Sequence, residues 1–372
     1  MRRILFPIII LIILFTSSCT IQTSNSNASN SPTESSQLIF AFDNNNFKGH
    51  SDLKETDEKL QGTICLSPTL EEKQKKSLIN EYLQRLGTYK ETPDSVTYDN
   101  GRLLVEHYLN ETKEKTSFIF HLYGKKSESE NAIASQDAII CTTINLSDFQ
   151  KVGYLSYTFD EQQRTNHESL LDTKKNPIAA INYQYLNGVP FPFITKYEAS
   201  DTSRNIADHV LNINQKFWIY KDNAEFDNAG KWTGYSADMY KNHNSGYTFT
   251  CSYDTKGNLV KIIGETDKSD LLNEINLVYQ KAGLLSTVDY TRPDTVYGTA
   301  DSSGQIHYDE NGRMIYKENY ITHGTQYVFY LYNDEDKRPW ICIQLDSAIQ
   351  GHITDEVDYG NQVTAYLFQS FN

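Results

Sequence analysis

Three segments of the chain share one order of aromatic, polar and apolar positions. Each has an aromatic residue, an aspartate, one or two further polar residues and a glycine, and then an alternation of apolar and polar residues. Aspartate side chains bond to nearby backbone N–H groups in turns, and glycine adopts positive φ without steric cost. The pattern therefore predicts β-hairpin turns, which would lie at Tyr98, Asp99 and Gly101, at Tyr253, Asp254 and Gly257, and at Tyr308, Asp309 and Gly312.

Weaker copies of the motif recur about every 26 residues in the C-terminal half. Their first residues are Phe226, Tyr253, Tyr279, Tyr308, Tyr332 and Tyr359. A steady period indicates a repeat architecture, and this one has room for two strands and two connections. We therefore predict a mainly β fold, an antiparallel meander of hairpin repeats. Less regular copies at Tyr98, Tyr123, Phe159 and Tyr185 suggest that the array extends into the N-terminal half with inserts.

One segment departs from the β pattern. Residues 69–87 place Leu78, Ile79, Tyr82, Leu83 and Leu86 at helical spacing, which predicts one amphipathic helix packed on the sheet. Thr69 with Glu72 has the spacing of a capping box, and Gly87 is a typical stop.

The first residues have the order of a bacterial export signal. Arg2 and Arg3 precede an apolar run over residues 4–15, and small residues lead to Cys19. The run is shorter than the roughly 20 residues that a helix needs to cross a bilayer, so we predict a signal peptide. Residues 16–19 resemble the lipobox of bacterial lipoproteins. The resemblance implies cleavage before Cys19 and attachment of diacylglycerol to its thiol; the alternative is an ordinary secretory signal with an incidental cysteine.

These patterns divide the chain into four parts. Residues 1–18 form the signal peptide, and residues 19–38 form the lipidated cysteine with a flexible tether rich in serine and asparagine. Residues 39–214 form an irregular β-rich region with the helix, and residues 215–372 form the regular array, which we expect to be continuous with it. The expected location is the extracytoplasmic face of the bacterial cell membrane.

The three strong motifs also resemble the YD repeats of bacterial Rhs-type and wall-associated proteins. The resemblance rests on the Tyr-Asp pairs and on the glycines that follow them. It implies long antiparallel sheets that serve at cell surfaces. It implies no catalytic chemistry, and the chain is too short for the closed shell of the large family members.

Composition narrows the possible partners. The formal net charge is −14 without a long basic run, which argues against nucleic acid as a partner. The 26 tyrosines and 17 phenylalanines favour strands. Four cysteines follow Cys19, and their spacing selects none of the three possible disulfide connectivities; they are Cys65, Cys141, Cys251 and Cys342.

The sequence contains no specific catalytic, metal or cofactor motif. His107 and His121 fall in predicted strands and are interpreted as structural imidazoles. Tyrosines near the hairpins either stack in ladders that stabilise the sheet or form an exposed binding face; the candidates for such a face are Tyr183, Tyr185, Trp232, Tyr235, Tyr240 and Tyr247. The favoured hypothesis is a non-enzymatic surface binding module for wall glycan or an envelope protein. The alternative is an envelope enzyme or inhibitor with a dispersed site.

Overall fold

The computed structural model describes residues 35–44, 63–66, 71–85, 92–123, 138–162, 164–199, 219–238, 246–266, 271–280, 283–291, 303–321, 324–333, 336, 338–348 and 362–370. Cys19, the predicted signal peptide and most of the predicted tether lie outside these residues.

The described residues form one α-helix and many short strands. In the first half these are β1 (Ser35–Asn44), β2 (Thr63–Leu66), α1 (Glu72–Arg85), β3 (Ser95–Asp99), β4 (Arg102–Leu109), β5 (Lys115–Leu122), β6 (Ala138–Asn145), β7 (Gln150–Phe159), β8 (Thr165–Leu171), β9 (Pro177–Gln184) and β10 (Phe193–Ala199). In the second half they are β11 (Ala224–Phe226), β12 (Trp232–Asp238), β13 (Gly246–Tyr253), β14 (Leu259–Thr266), β15 (Leu271–Tyr279), β16 (Leu285–Thr291), β17 (Ser303–Tyr308), β18 (Met314–Ile321), β19 (Gly324–Leu331), β20 (Ile341–Ala348) and β21 (Gln362–Ser370). The predicted mainly β antiparallel meander with one helix is confirmed.

The strands make two sheets. The larger has the order β10-β9-β8-β7-β1-β21-β20-β19-β18-β17-β16-β15-β14-β13-β12-β11, and the smaller has the order β2-β6-β5-β4-β3. Strand β1 lies between β7 and β21 and joins the early hairpins to the late array. Strands on both sides of residue 214 therefore share the larger sheet, while the smaller sheet is built wholly from residues before it.

Helix α1 covers one face of the smaller sheet. Leu83 is almost fully buried and packs with Tyr108, Ile119 and Cys141. The described helix starts at Glu72 and ends at Arg85, inside the predicted range of 69–87. No helix among the described residues is long and apolar enough to span a lipid bilayer.

The other face of the smaller sheet packs on the larger one. Phe118 and Phe120 of β5 lie in one core cluster with Phe329 of β19 and with Ile341 and Ile343 of β20. The rings of Phe120 and Phe329 have centroids 4.1 Å apart. Successive side chains of a strand point to opposite faces, so the other residues of β19 and β20 face away from the smaller sheet.

That opposite face is also buried, because the larger sheet curls round. Tyr330 and Cys342 pack against Leu155 of β7 and Leu170 of β8. The two ends of the sheet also approach each other: the rings of Phe193 in β10 and Trp232 in β12 are 5.0 Å apart. Within the described residues no strand ladder joins β10 to β11; a single bridge connects these ends, where the N–H of Ile194 donates to the carbonyl of Ile219 at 2.8 Å.

Candidate functional site

The turn after β17 shows what the repeat motif does. The N–H of Asp309 donates to the carbonyl of Arg313, and the N–H of Gly312 donates to the carbonyl of Asp309, each at 2.9 Å. The Asp309 carboxylate accepts from the N–H groups of Asn311 and Arg313 at 3.0 and 2.8 Å, and from Arg313 Nε at 2.7 Å. Gly312 has a φ of +74°. One aspartate thus organises the whole turn from within five residues.

The turn after β13 repeats this geometry with another partner. The Asp254 carboxylate accepts from the N–H groups of Lys256 and Asn258 at 2.8 Å, and from Asn258 Nδ2 at 3.0 Å. Gly257 has a φ of +86°. Hydrogen bonds from Asn258 hold the pKa of the Asp254 carboxyl below its ordinary value. Both aspartates are therefore committed to their own turns.

Further turns have the same bonds, and one of them escapes the sequence pattern. The carboxylates of Asp160 and Asp227 accept from the N–H four residues later, as Asp309 does. Asp172 does so too, with Asn176 as its partner, but Lys175 stands at the glycine position with a φ of +67°. A search that demands glycine misses this copy, whereas the aspartate with an asparagine four residues later would have found it.

Four of the motif tyrosines join their repeat to the preceding one. The hydroxyl of Tyr253 donates to the carbonyl of Trp232 at 2.7 Å, and that of Tyr279 donates to the carbonyl of Leu259 at 2.8 Å. Tyr332 and Tyr123 bond in the same way to Met314 and Leu103. In each case the acceptor is the first or second residue after the preceding turn. These tyrosines therefore link neighbouring repeats through their hydroxyl groups. Burial raises the pKa of Tyr279 to about 12, so its hydroxyl keeps the proton that it donates.

Cations at the ends of the turns cover the same tyrosine rings. The guanidinium of Arg313 lies 4.6 Å from the centre of the Tyr332 ring, and the ammonium of Lys231 lies 3.7 Å from that of Tyr253. Arg102 with Tyr123 and Arg164 with Tyr185 repeat the contact. Tyr308 has no such cation among the described contacts; it packs, half-buried, against the apolar cluster of β14 to β17.

The first strong motif has a different structure. Asn100 and Gly101 both have positive φ, at +48° and +80°, and make a two-residue hairpin turn. Tyr98 is 53% exposed, while Asp99 is 3% exposed and lies 3.0 Å from His307 Nδ1 in β17. Asp99 therefore does not cap its turn as expected from the motif, because its side chain joins the smaller sheet to the larger one.

The alternative of an exposed aromatic face has no support from the described members of that set, which are buried or half-buried. Trp232 and Tyr183 are 1% and 7% exposed, and the Trp232 indole N–H donates to the carbonyl of Gly234 at 2.7 Å. The side chains of Tyr235, Tyr240 and Tyr247 lie outside the described residues. The described tyrosines and tryptophan of that set are core or ladder residues because the curled sheet turns them inward.

A cleft of about 720 Å³ opens where the smaller sheet meets the β19–β20 connection. Its lining combines aromatic rings, carboxylates and a guanidinium: Asp94, Ser95, His107, Leu109, Leu146, Tyr332, Asn333, Asp336, Arg338, Pro339, Trp340, Leu367 and Phe368. Clefts of this size that combine aromatic rings with placed polar groups can bind small ligands. This cleft is the candidate functional site.

A buried ion pair stabilises one wall of the cleft. Arg338 is 8% exposed, forms an ion pair with Glu168 of β8, and lies 4.7 Å above the ring of Tyr157. Burial lowers the pKa of Arg338 to about 10. Partners on the larger sheet thus hold the Arg338 guanidinium in place at this wall of the cleft.

A serine and a histidine meet at the same cleft. Ser95 is exposed at the start of β3, and its Oγ lies 3.3 Å from Nδ1 of His107 on β4. The other ring nitrogen of His107 makes a short contact with the hydroxyl of Thr116. The sequence predicts a structural His107 and gives no signal for Ser95, because strand register rather than local spacing brings the two residues together.

A smaller polar pocket of about 240 Å³ lies at the other end of the sheet interface. It is lined by Asp99, Arg102, His121, His307 and Glu318, among others. No group of three or more metal-ligating side chains occurs among the described residues. The reduced thiols of Cys251 and Cys342 lie in strands, and burial raises the pKa of Cys251 to about 12.

Comparison with known proteins gives only remote likenesses. No family model and no curated protein matches the chain. Among solved structures, a chain of the TcdB2-TccC3-Cdc42 complex matches at 15% identity and a TM-score of 0.19, over 69% of this chain and 15% of that chain. A porin-like protein from Bacteroides uniformis matches at 10% identity and a TM-score of 0.26, over 69% of this chain and 97% of that chain. The chain thus corresponds to less than a fifth of the first structure, and at these scores neither likeness bears on function.

Proposed function

We propose that the protein is a lipid-anchored bacterial envelope protein that binds a ligand in the cleft between its two sheets. The cleft carries the proposal: it is a concave site of about 720 Å³, and its aromatic and charged lining is assembled from both sheets. The hairpin array, which resembles degenerate YD repeats, serves as the scaffold that holds the two walls in place.

The lining favours a hydroxyl-rich ligand such as wall glycan. Trp340 offers a ring on which a sugar ring can stack, and Asp94 and Asp336 are exposed carboxylates that accept hydroxyl hydrogen bonds. Asn333 adds an amide at the same wall. An envelope protein partner is the second ligand class, and the open cleft admits an exposed loop of such a partner.

The anchor in this proposal is Cys19. The order of the charged residues, the apolar run, the small residues and the cysteine supports it. Two acyl chains, each contributing about 0.8 kcal/mol per buried methylene, make a stable anchor. The polar tether would then hold the folded sheets away from the membrane surface, at the level of the wall.

Binding is tested with purified wall material and with Trp340→Ala. We expect the parent protein to sediment with the wall material, and Trp340→Ala to bind about tenfold more weakly, since an aromatic contact contributes about 1 kcal/mol or more. Phe226→Ala is the matched control, because Phe226 is an exposed aromatic residue of β11 outside the cleft lining. Absence of parental binding to wall material and to envelope extract, or equal loss in both variants, would contradict the binding function.

The anchor has its own experiment. Membrane fractionation of Cys19→Ala should move the protein from the membrane fraction to the soluble extracytoplasmic fraction. A variant that sediments with membranes as completely as the parent would show that the lipid anchor does not exist.

A further inference from the structure

The cleft contains a hydroxyl and an imidazole in hydrogen-bonding distance. Ser95 Oγ and His107 Nδ1 are 3.3 Å apart, a length common for catalytic pairs without bound substrate. Ser95 is exposed at the cleft, whereas His107 is only 4% exposed. The hydroxyl is thus on the solvent side and the imidazole behind it.

The contacts of Thr116 allow the tautomer of His107 that a general base needs. The hydroxyl of Thr116 donates to the carbonyl of Tyr108 at 3.4 Å, so its oxygen can accept a further hydrogen bond. In this tautomer His107 Nε2 carries the proton and donates to the Thr116 oxygen. A neutral imidazole protonated at Nε2 has its lone pair at Nδ1, and that nitrogen faces the Ser95 hydroxyl.

Aromatic rings fix the position of the imidazole. His107 stacks on Phe118 at 4.8 Å with an interplanar angle of 12°, and Trp340 lies 5.2 Å away on the cleft side. A ring held by two hydrogen-bonding partners and two aromatic contacts cannot turn away from Ser95. Such positioning is what general-base catalysis requires.

We propose that this pair hydrolyses a carboxylic ester of the cleft ligand, with Ser95 as nucleophile and His107 as general base. Ser95 Oγ bonds to the ester carbonyl carbon while its proton passes to His107 Nδ1. The ester C–O bond then breaks, and the leaving alkoxide takes that proton and departs as an alcohol. Water, deprotonated by His107, cleaves the acyl-serine, releases a carboxylic acid and regenerates Ser95.

The substrate class follows from the lining. A hydroxyl-rich ligand that carries an O-acyl group would lie on Trp340 with its ester at Ser95. In this respect the proposal rests on the proposed function. Thr116 stands where a catalytic triad has a carboxylate, so the imidazolium gains no counter-charge from it, and we expect slower turnover than in a triad.

A covalent probe is therefore the sharpest test. The full-length protein is treated with a fluorophosphonate, and the adduct is located by peptide mass spectrometry. We expect one adduct in the parent protein, on Ser95, and no adduct on the same peptide in Ser95→Ala. Labelling of Ser95 in His107→Gln should be at least about 100-fold slower, which is the usual scale of general-base catalysis. Thr97→Ala, on the same strand and outside the cleft lining, is the control and should label like the parent.

Thr116 supplies a second variant pair in case His107→Gln does not fold. Thr116→Val keeps the shape but removes the acceptor, and should slow labelling; Thr116→Ser keeps the hydroxyl and should restore it. A parent without an adduct on Ser95, or a folded Thr116→Val that labels at the parental rate, would overturn the proposal.

Binding and hydrolysis fail separately. Wall binding that persists in Ser95→Ala, together with no adduct in the parent, leaves the binding function standing and removes the hydrolysis. An adduct on Ser95 in a protein that binds no wall material would support the hydrolysis and contradict the binding of wall material. The ester would then belong to another ligand.

Discussion

At the scale of single residues, the motif aspartate is the organising group of the hairpins. At Asp309 the carboxylate accepts two backbone N–H groups and the side chain of Arg313, while Gly312 takes the positive φ that the turn needs. All of these bonds lie within five residues. The same set at Asp172, where Lys175 replaces the glycine, shows that the aspartate and its partner four residues later matter more than the glycine.

Asp309→Ala should lower the free energy of unfolding by about 2 kcal/mol, because it leaves two backbone N–H groups and Arg313 without their acceptor. Asp309→Asn keeps one acceptor oxygen and should cost about half as much. Equilibrium unfolding in urea measures both. Glu310→Ala changes the exposed neighbouring residue and should have no effect. An equal loss of unfolding free energy in Glu310→Ala would show that the loss in Asp309→Ala does not come from the hydrogen bonds of the Asp309 carboxylate.

At the scale of elements, consecutive hairpins are joined by the motif tyrosines. Each ring extends sideways from one hairpin to the start of the return strand in the preceding one, as Tyr253 does to Trp232. Four described tyrosines make such links: Tyr123, Tyr253, Tyr279 and Tyr332.

Tyr253→Phe tests the ladder. It removes the hydroxyl and leaves the ring under Lys231, so we expect a loss of about 1 kcal/mol in unfolding free energy from the missing hydrogen bond. Tyr98→Phe is the control, because Tyr98 is 53% exposed and should tolerate the change. If the two substitutions have the same effect on urea unfolding, the hydroxyl bonds do not hold the repeats together.

At the scale of the whole molecule, two sheets meet through an apolar layer with ionisable groups at its edge. Burial raises the pKa of the Asp99 carboxyl, but the hydrogen bond and charge of His307, with Arg102, outweigh it and hold the pKa below its ordinary value. The folded protein therefore binds this proton less readily than the unfolded chain does. Asp99 contributes stability above the unfolded pKa, roughly 3.9, and this contribution is lost as the pH falls below it.

Asp99→Asn should accordingly flatten the loss of stability on acidification. We expect the parent to lose more unfolding free energy than Asp99→Asn between about pH 5 and pH 2, as measured by urea unfolding at a series of pH values. Asp222→Asn, at an exposed position, serves as the control and should follow the parent. Parallel curves for the parent and Asp99→Asn would show that the contact with His307 does not link the two sheets energetically.

Sequence and tertiary structure thus decided different properties of this protein. The hairpins, the mainly β class and the helix follow from the sequence alone, because turn bonds and side-chain periodicity act over a few residues. The sequence also carries the prediction of lipidation at Cys19, which awaits experiment.

Only the tertiary structure decided that Asp99 links the sheets and that Trp232 is buried. It alone formed the cleft, where strand register joins Ser95 to His107 and packing between sheets brings Trp340 beside them. Such contacts cross tens or hundreds of residues, and no local pattern specifies them.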